Sequence, residues 1–260
     1  MGKFDGFLIC SDVDGTFAIG KEIPPANREA VRYFVREGGL FTLSSGRTAS
    51  YLRELPDVVF NAPLIVCNGA RIVDDKTGET LWIRAMEEAD RFCPSLALAG
   101  LAAKPTLLLL FHLEEERTIR YNDPADFSLE AEEGLTFLKM VACFETAADA
   151  DAWTTYAREA FPAYQFVHSW PQGVEQLSRR AGKDLCVKWL KERLGVRTLV
   201  CVGDQENALS MLKEADVACC PANATKEVMA VSDMVVRDAA EGARAEVIER
   251  LEKRSADGRR

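Results

Sequence analysis

The chain predicts an α/β fold, a doubly wound parallel-sheet core interrupted by an inserted α+β domain. Short apolar runs alternate with amphipathic helical segments over the first third of the 260 residues, and the same alternation resumes near the carboxyl end. Several of these runs end in clusters of Asp, Ser, Gly and Asn, where strands of an open parallel sheet present their ligand-binding loops. Between Arg84 and Trp170 the texture changes, which marks the insertion.

The first strand is Phe7 to Cys10. Pro24 and Pro25 suit the start of a helix running to Glu37, with Ala30, Val31, Phe34 and Val35 on one apolar face and Gly38-Gly39 at its end. Leu40 to Leu43 is the next strand and completes a βαβ unit. Ser44-Ser45-Gly46-Arg47 follows it, and a short helix leads to a third strand, Leu64 to Cys67, ending in Asn68-Gly69. Arg71 to Ile83 reads as a hairpin turning near Lys76 to Gly78. The insertion reads as helix 87–103, strands 106–113 and 135–144, helix 147–160 and strand 164–170, with Glu114-Glu115-Glu116 as a solvated hairpin turn. Helix 184–194, ended by Gly195, then leads to strand Thr198 to Val202, which runs into Gly203-Asp204-Gln205-Glu206-Asn207. Strand 216–219, helix 223–231, strand 234–236 and helix 241–252 complete the chain. The core is expected over 1–83 and 173–260, and the inserted domain over 84–172.

The formal net charge of -9 argues against a nucleic-acid or anionic-membrane partner, since both need a basic face. An anionic substrate would therefore need a local positive pocket. No charged-then-apolar leader opens the chain, and the longest apolar region, Ser95 to Leu113, is broken by Lys104 and Pro105. The eight cysteines sit mostly inside apolar runs, with no CxxC and only two histidines nearby in composition. They read as reduced core residues of a cytoplasmic protein rather than as a zinc site or a disulfide framework.

Asp12 and Asp14 follow the first strand two residues apart, so in extended geometry both side chains point to one side and reach one reacting centre. Gly15 permits a sharp turn, after which the Thr16 N–H and hydroxyl can meet an anion. Ser45 and Asp204 follow two further strands, and Lys183 precedes a helix whose positive end faces the same way. Each residue has an ordinary reading alone: an Asx turn, a capping serine, a solvated lysine, an N-cap. Together they supply what phosphoryl transfer requires, namely a nucleophile, a proton shuttle, hard oxygen ligands for magnesium and donors around the phosphoryl oxygens. Arg47 either touches substrate or pins its loop, and Asn68 and Asn207 either donate to phosphate or stabilise turns. His112 and His168 read as core or surface residues. Trp170, Tyr121, Lys139 and Arg120 are possible substrate readers that nothing in their spacing singles out.

The ordered motifs DVDGT, SSGR, AGK before a helix and GDQEN resemble the haloacid dehalogenase-like (HAD) phosphatase superfamily. CNGARIVD at 67–74, PANATKEV at 221–228 and Gly242 resemble its Cof-like branch. Only enough chain for one helix separates Thr16 from Ser44, so the cap must be the insertion that follows the second motif. The resemblance implies a Rossmann-like core, with Asp12 as the nucleophile forming an aspartyl-phosphate and Asp14 as the acid that protonates the leaving oxygen and then activates water. It implies Mg2+ held by Asp12, Asp204 and the Asp14 carbonyl, with Ser45, the Gly46 N–H and Lys183 holding the phosphoryl oxygens; from the residues themselves, Asn207 is a further phosphate candidate and Thr16, Arg47 and Asn68 are candidate contacts to substrate or loop. The implied partner is a small phosphorylated molecule, with no nucleic acid and no membrane, and the oligomeric state stays open. One position departs from the pattern: Ala208 stands where the family usually has a second acid supporting the metal. A phosphomutase with a similar cap, or a catalytically impaired phosphate-ligand binder, are the alternatives.

Overall fold

The computed structural model describes residues 2–86, 91–99, 105–112, 118–122 and 136–257. The chain divides into two compact units, Met1–Trp82 with Gly182–Arg260, and Ile83–Ala181.

In the first unit, Phe7–Ser11 (β1) is almost wholly buried, as a central parallel strand requires. Pro25–Arg36 (α1) begins on a proline whose missing N–H leaves nothing unsatisfied there, and Val31 and Phe34 carry its buried face. Leu40–Leu43 (β2), Ala49–Arg53 (α2, capped by Thr48), Leu64–Val66 (β3), Arg71–Val73 (β4) and Thr80–Ile83 (β5) follow. After the second unit come Lys183–Leu194 (α5), Thr198–Val202 (β11), Leu209–Lys213 (α6), Val217–Pro221 (β12), Lys226–Val231 (α7), Met234–Val236 (β13) and Ala243–Asp257 (α8), the intervening labels belonging to that unit. The main sheet has the order β13-β12-β11-β1-β2, parallel throughout. Ile9, Val200 and Val202 join one apolar cluster with Val31, Phe34, Val247 and Ile248, while Leu8, Cys10, Leu199 and Cys201 join another with Cys186, Leu190 and Met211. Helices thus cover both faces. β3, β4 and β5 form a separate three-stranded sheet, tied to the end of β2 by a parallel bridge between Ser44 and Ile65. The helix expected from 223 starts at Lys226, because Thr225 caps it by accepting from the Val228 N–H.

The second unit comprises Cys93–Ala99 (α3), Leu107–His112 (β6), Thr118–Tyr121 (β7), Phe137–Cys143 (β8), Ala147–Ala160 (α4), Tyr164–Trp170 (β9) and Gly173–Ser178 (β10). Its sheet has the order β7-β6-β8-β10-β9 and is antiparallel. β10 corrects the expected boundary: it pairs with β8 and β9, so this unit runs to Ala181 rather than to residue 172. Of the helix expected over 87–103, the stretches 87–90 and 100–104 lie outside the described residues, as does the Glu114-Glu115-Glu116 turn.

All eight cysteines are free thiols, and only Cys93 is exposed. Among the described residues no helix is long and apolar enough to cross a membrane.

Candidate active site

β2, β1 and β11 lie side by side in the sheet, and their carboxyl ends deliver Ser45, Asp12 and Asp204 to one edge. Lys183 opens α5, and its Nζ donates to Asp12 Oδ2 at 2.8 Å, both side chains being almost fully buried. Asp12 Oδ1 accepts from the Val13 N–H at 2.8 Å. Burial pushes the Asp12 carboxyl up from its ordinary range, and the Lys183 ammonium opposes that shift.

Asp204 is 3% exposed. Burial, and then the charge of Asp12, push its carboxyl up to about 7. Thr16 Oγ1 donates to its Oδ1 at 2.6 Å, so the threonine hydroxyl is committed to this acid. The Thr16 N–H turns back to the Val13 carbonyl. Gly15 is required twice over: its φ is +73°, and a Cβ there would stand 2.5 Å from Asp204 Oδ2. Asn223 secures the loop by donating to the Gly15 carbonyl at 2.8 Å, a role that sequence reasoning missed.

This carboxyl gives a pH signature. In the unfolded chain Asp204 titrates near 3.8 and in the folded protein near 7, so the native state holds the extra proton between those values. The associated stability is complete below about pH 4 and is lost as pH rises through 7, a span of about 4 kcal/mol at most. Denaturation of the metal-free protein from pH 4 to 8 should show this fall, and Asp204→Asn should make it shallower, Asp12 contributing with the same sign.

Asp14 is half-exposed and forms a bidentate pair with Arg47, Nε to Oδ2 at 3.0 Å and Nη2 to Oδ1 at 3.1 Å. The Arg47 guanidinium also lies 4.7 Å from the centre of the Tyr51 ring. Arg47 therefore grips the second acid. Ser45 is buried, and its Oγ accepts from the Arg47 N–H at 3.1 Å, holding the loop around Gly46.

Cys67 and Asn68 adopt left-handed φ values of 51° and 52°, and Gly69 follows at 86°. The turn brings Gly69 so close to Gly182 and Lys183 that a Cβ would lie 2.3 Å from the Gly182 carbonyl carbon. Asn68 Oδ1 accepts from Asn207 Nδ2 at 3.1 Å, which links this turn to the segment after β11. Asn68→Gly keeps the backbone and loses that bond, whereas Asn68→Ala loses the bond and strains the left-handed residue. The alanine variant should be less stable by about 1 kcal/mol, the reverse of the usual order, as chemical denaturation would read.

Ala208 is fully buried, packs its methyl group on Gly203 and joins the cluster of Leu8, Cys10 and Met211. The position of the absent acid is thus an apolar one. Arg244 was also missed: it is 0% exposed, and its Nη2 donates to Ser11 Oγ beneath β1. An arginine at a helix start reads as solvated, yet it shares a helical stripe with the buried Ile248 and Leu251, which is the signal that could have found it.

In the second unit, Lys139 is paired with Glu175 at 2.6 Å, Arg120 Nε donates to Asn122 at 2.9 Å, and His168 Nε2 lies 2.9 Å from Thr154 Oγ1. The His112 side chain lies outside the described residues.

A family model for haloacid dehalogenase-like hydrolases matches residues 9–92 and 111–248. Among solved structures, a haloacid dehalogenase-like hydrolase from B. subtilis aligns with TM-score 0.80 and 20% identity over 94% of this chain and 99% of that one. A protein studied among HAD phosphatases, from Bacteroides thetaiotaomicron, aligns with TM-score 0.79 and 18% identity over 96% of each chain. A HAD subclass IIB sugar phosphatase aligns with TM-score 0.76 and 16% identity over 94% of this chain and 98% of that one. At these identities the structures speak to fold, and the family model speaks to kinship.

Proposed function

This chain belongs to the haloacid dehalogenase-like hydrolase family, and we propose that it is a magnesium-dependent, Cof-like phosphatase of small phosphomonoesters. Sugar phosphates and phosphorylated metabolites are the substrate class, and a reducing cytoplasmic compartment suits its eight free thiols. The observation that carries the reading is the buried Asp12–Lys183 pair, 2.8 Å apart, with Asp204 beside it at the same sheet edge.

In this reading Asp12 attacks phosphorus, the bond to the leaving oxygen breaks, and Asp14 delivers its proton to that oxygen. Asp14 then takes a proton from water, which attacks the aspartyl-phosphate, releases phosphate and restores Asp12. Arg47 holds both Asp14 oxygens, so one of its two bonds must give way when Asp14 handles the proton. Lys183, Ser45, the Gly46 N–H and Asn207 hold the phosphoryl oxygens.

The donor set fits a hard cation: two buried carboxylates and a main-chain carbonyl, all oxygen, with Asp204 raised by burial and then by its acidic neighbour, in a way that positive charge relieves. Among the described residues no group of three His, Cys, Asp or Glu side chains is placed to hold a metal, so this reading relies on a main-chain carbonyl as the third protein ligand. Asp12, Asp204 and the Asp14 carbonyl would hold Mg2+, which when bound draws charge from the phosphoryl oxygens. Thr16 keeps Asp204 oriented for that role.

The test is phosphate release from a panel of phosphomonoesters with Mg2+ and with chelator. Release that needs Mg2+ is the expected result. Ala208 motivates the second reading, a phosphate-ligand binder, for which ligands would raise the melting temperature without release.

A further inference from the structure

Arg244 has the largest side chain among the fully buried residues, and its charge has no carboxylate within ion-pair distance among the described residues. Its Nε and Nη1 have no hydrogen-bond partner there. Burying a guanidinium this way is costly, and burial pulls its pKa down to about 10, which leaves it charged at neutral pH. Packing alone does not account for a charge here, because an apolar side chain of similar length would fill the space without desolvation.

The one side-chain hydrogen bond it makes runs toward the site. Nη2 donates to Ser11 Oγ, and Ser11 Oγ donates to the Asp12 carbonyl at 2.6 Å. The Arg244 end is itself anchored, since its N–H donates to Asn27 Oδ1 at 2.9 Å while Asn27 Nδ2 donates to the Phe17 carbonyl at 3.2 Å. The guanidinium also feels the charge of Asp12, after burial and the Cys219 and Cys10 thiols. Arg244, Ser11 and Asp12 therefore form a relay from α8, across the covered face of the sheet, to the residue on which the chemistry depends. Arg244 and Ser11 are both wholly buried beneath Asp12, and in this reading neither touches a reacting group.

We propose that Arg244 is a positioning residue, which acts through the Ser11 hydroxyl to fix the main chain at Asp12 and so the line along which its carboxylate meets phosphorus. The kinetic consequence rests on the phosphatase reading. The placement of the Asp12 main chain does not.

The experiment compares wild type with Arg244→Met, Arg244→Lys, Ser11→Ala and the Arg244→Met/Ser11→Ala double variant. Amide exchange without ligand reads the relay directly. Exchange at Asp12 and Val13 should quicken by roughly 10-fold in Arg244→Met and Ser11→Ala, with strands β11 and β12 unchanged. Arg244→Met should melt at or above the wild-type temperature, because it removes an uncompensated buried charge. With an aryl phosphate and Mg2+, kcat should fall by roughly 10- to 100-fold with KM within about 3-fold, and the double variant should lose no more than the worse single one. Arg244→Lys should recover part of the loss.

Unchanged exchange at Asp12 and Val13 would overturn the relay, as would a general fall in melting temperature with exchange quickened throughout, which marks a packing role. Additive losses in the double variant would also overturn it. Should wild type release no phosphate while the exchange result holds, the phosphatase reading fails and the relay stands.

Discussion

Asp12→Asn should abolish phosphate release, with a loss on the order of 10^4-fold or more, while the protein stays folded. The two wild-type bonds, from the Val13 N–H and from Lys183 at 2.8 Å each, fall on different Asp12 oxygens, so the amide keeps one acceptor and loses the other. What disappears is the anionic nucleophile. Circular dichroism should match wild type while the melting temperature falls, because Lys183 loses its buried counter-charge, and phosphate released at an undiminished rate by purified Asp12→Asn would remove Asp12 from its role.

Lys183→Met should lower both stability and activity. The ammonium is 1% exposed and is paired with Asp12, so its removal leaves a carboxylate buried without a counter-charge. Breaking such a pair costs about 3 kcal/mol or more. Asp12 can escape that penalty only by taking a proton, which its burial already favours. The destabilisation relative to wild type should therefore be larger at pH 8 than at pH 5, and kcat should fall by about 10^3-fold because the nucleophile is neutral and a phosphate donor is gone. A Lys183→Met protein as stable as wild type at both pH values would show that the pair is not what compensates Asp12. Lys183→Arg should restore little, since a planar fork does not fit the space of a point charge.

The parts of this site that sequence alone revealed are those in which a local pattern and a chemical type coincide. An apolar strand ending in Asp12 and Asp14, and another ending in Gly203-Asp204, are visible because parallel strands read as apolar runs and acids at their ends stand out. The strand Gly173–Ser178 was not visible, because Glu175 and Gln176 break the apolar run. Their burial is satisfied by Lys139 and by the Arg91 carbonyl, both distant in sequence. Thr16 shows the same limit at the site itself. Its type suggested an anion contact, whereas a carboxylate from Asp204 occupies its hydroxyl. Arg47 could be read two ways from sequence, and only the fold brings it onto Asp14. Ala208 stood out as a missing acid, but that its position is enclosed by apolar side chains depends on packing across the sheet.

The central claim is covalent: phosphate passes through Asp12. Rapid quenching of the enzyme during turnover with Mg2+ and a phosphomonoester, followed by borohydride reduction, converts an acyl phosphate to an alcohol and leaves homoserine in place of aspartate. Peptide mass spectrometry should find that conversion at Asp12, dependent on substrate and absent from Asp12→Asn. Steady phosphate release with Asp12 unmodified, or with the modification at another carboxylate, would contradict the account.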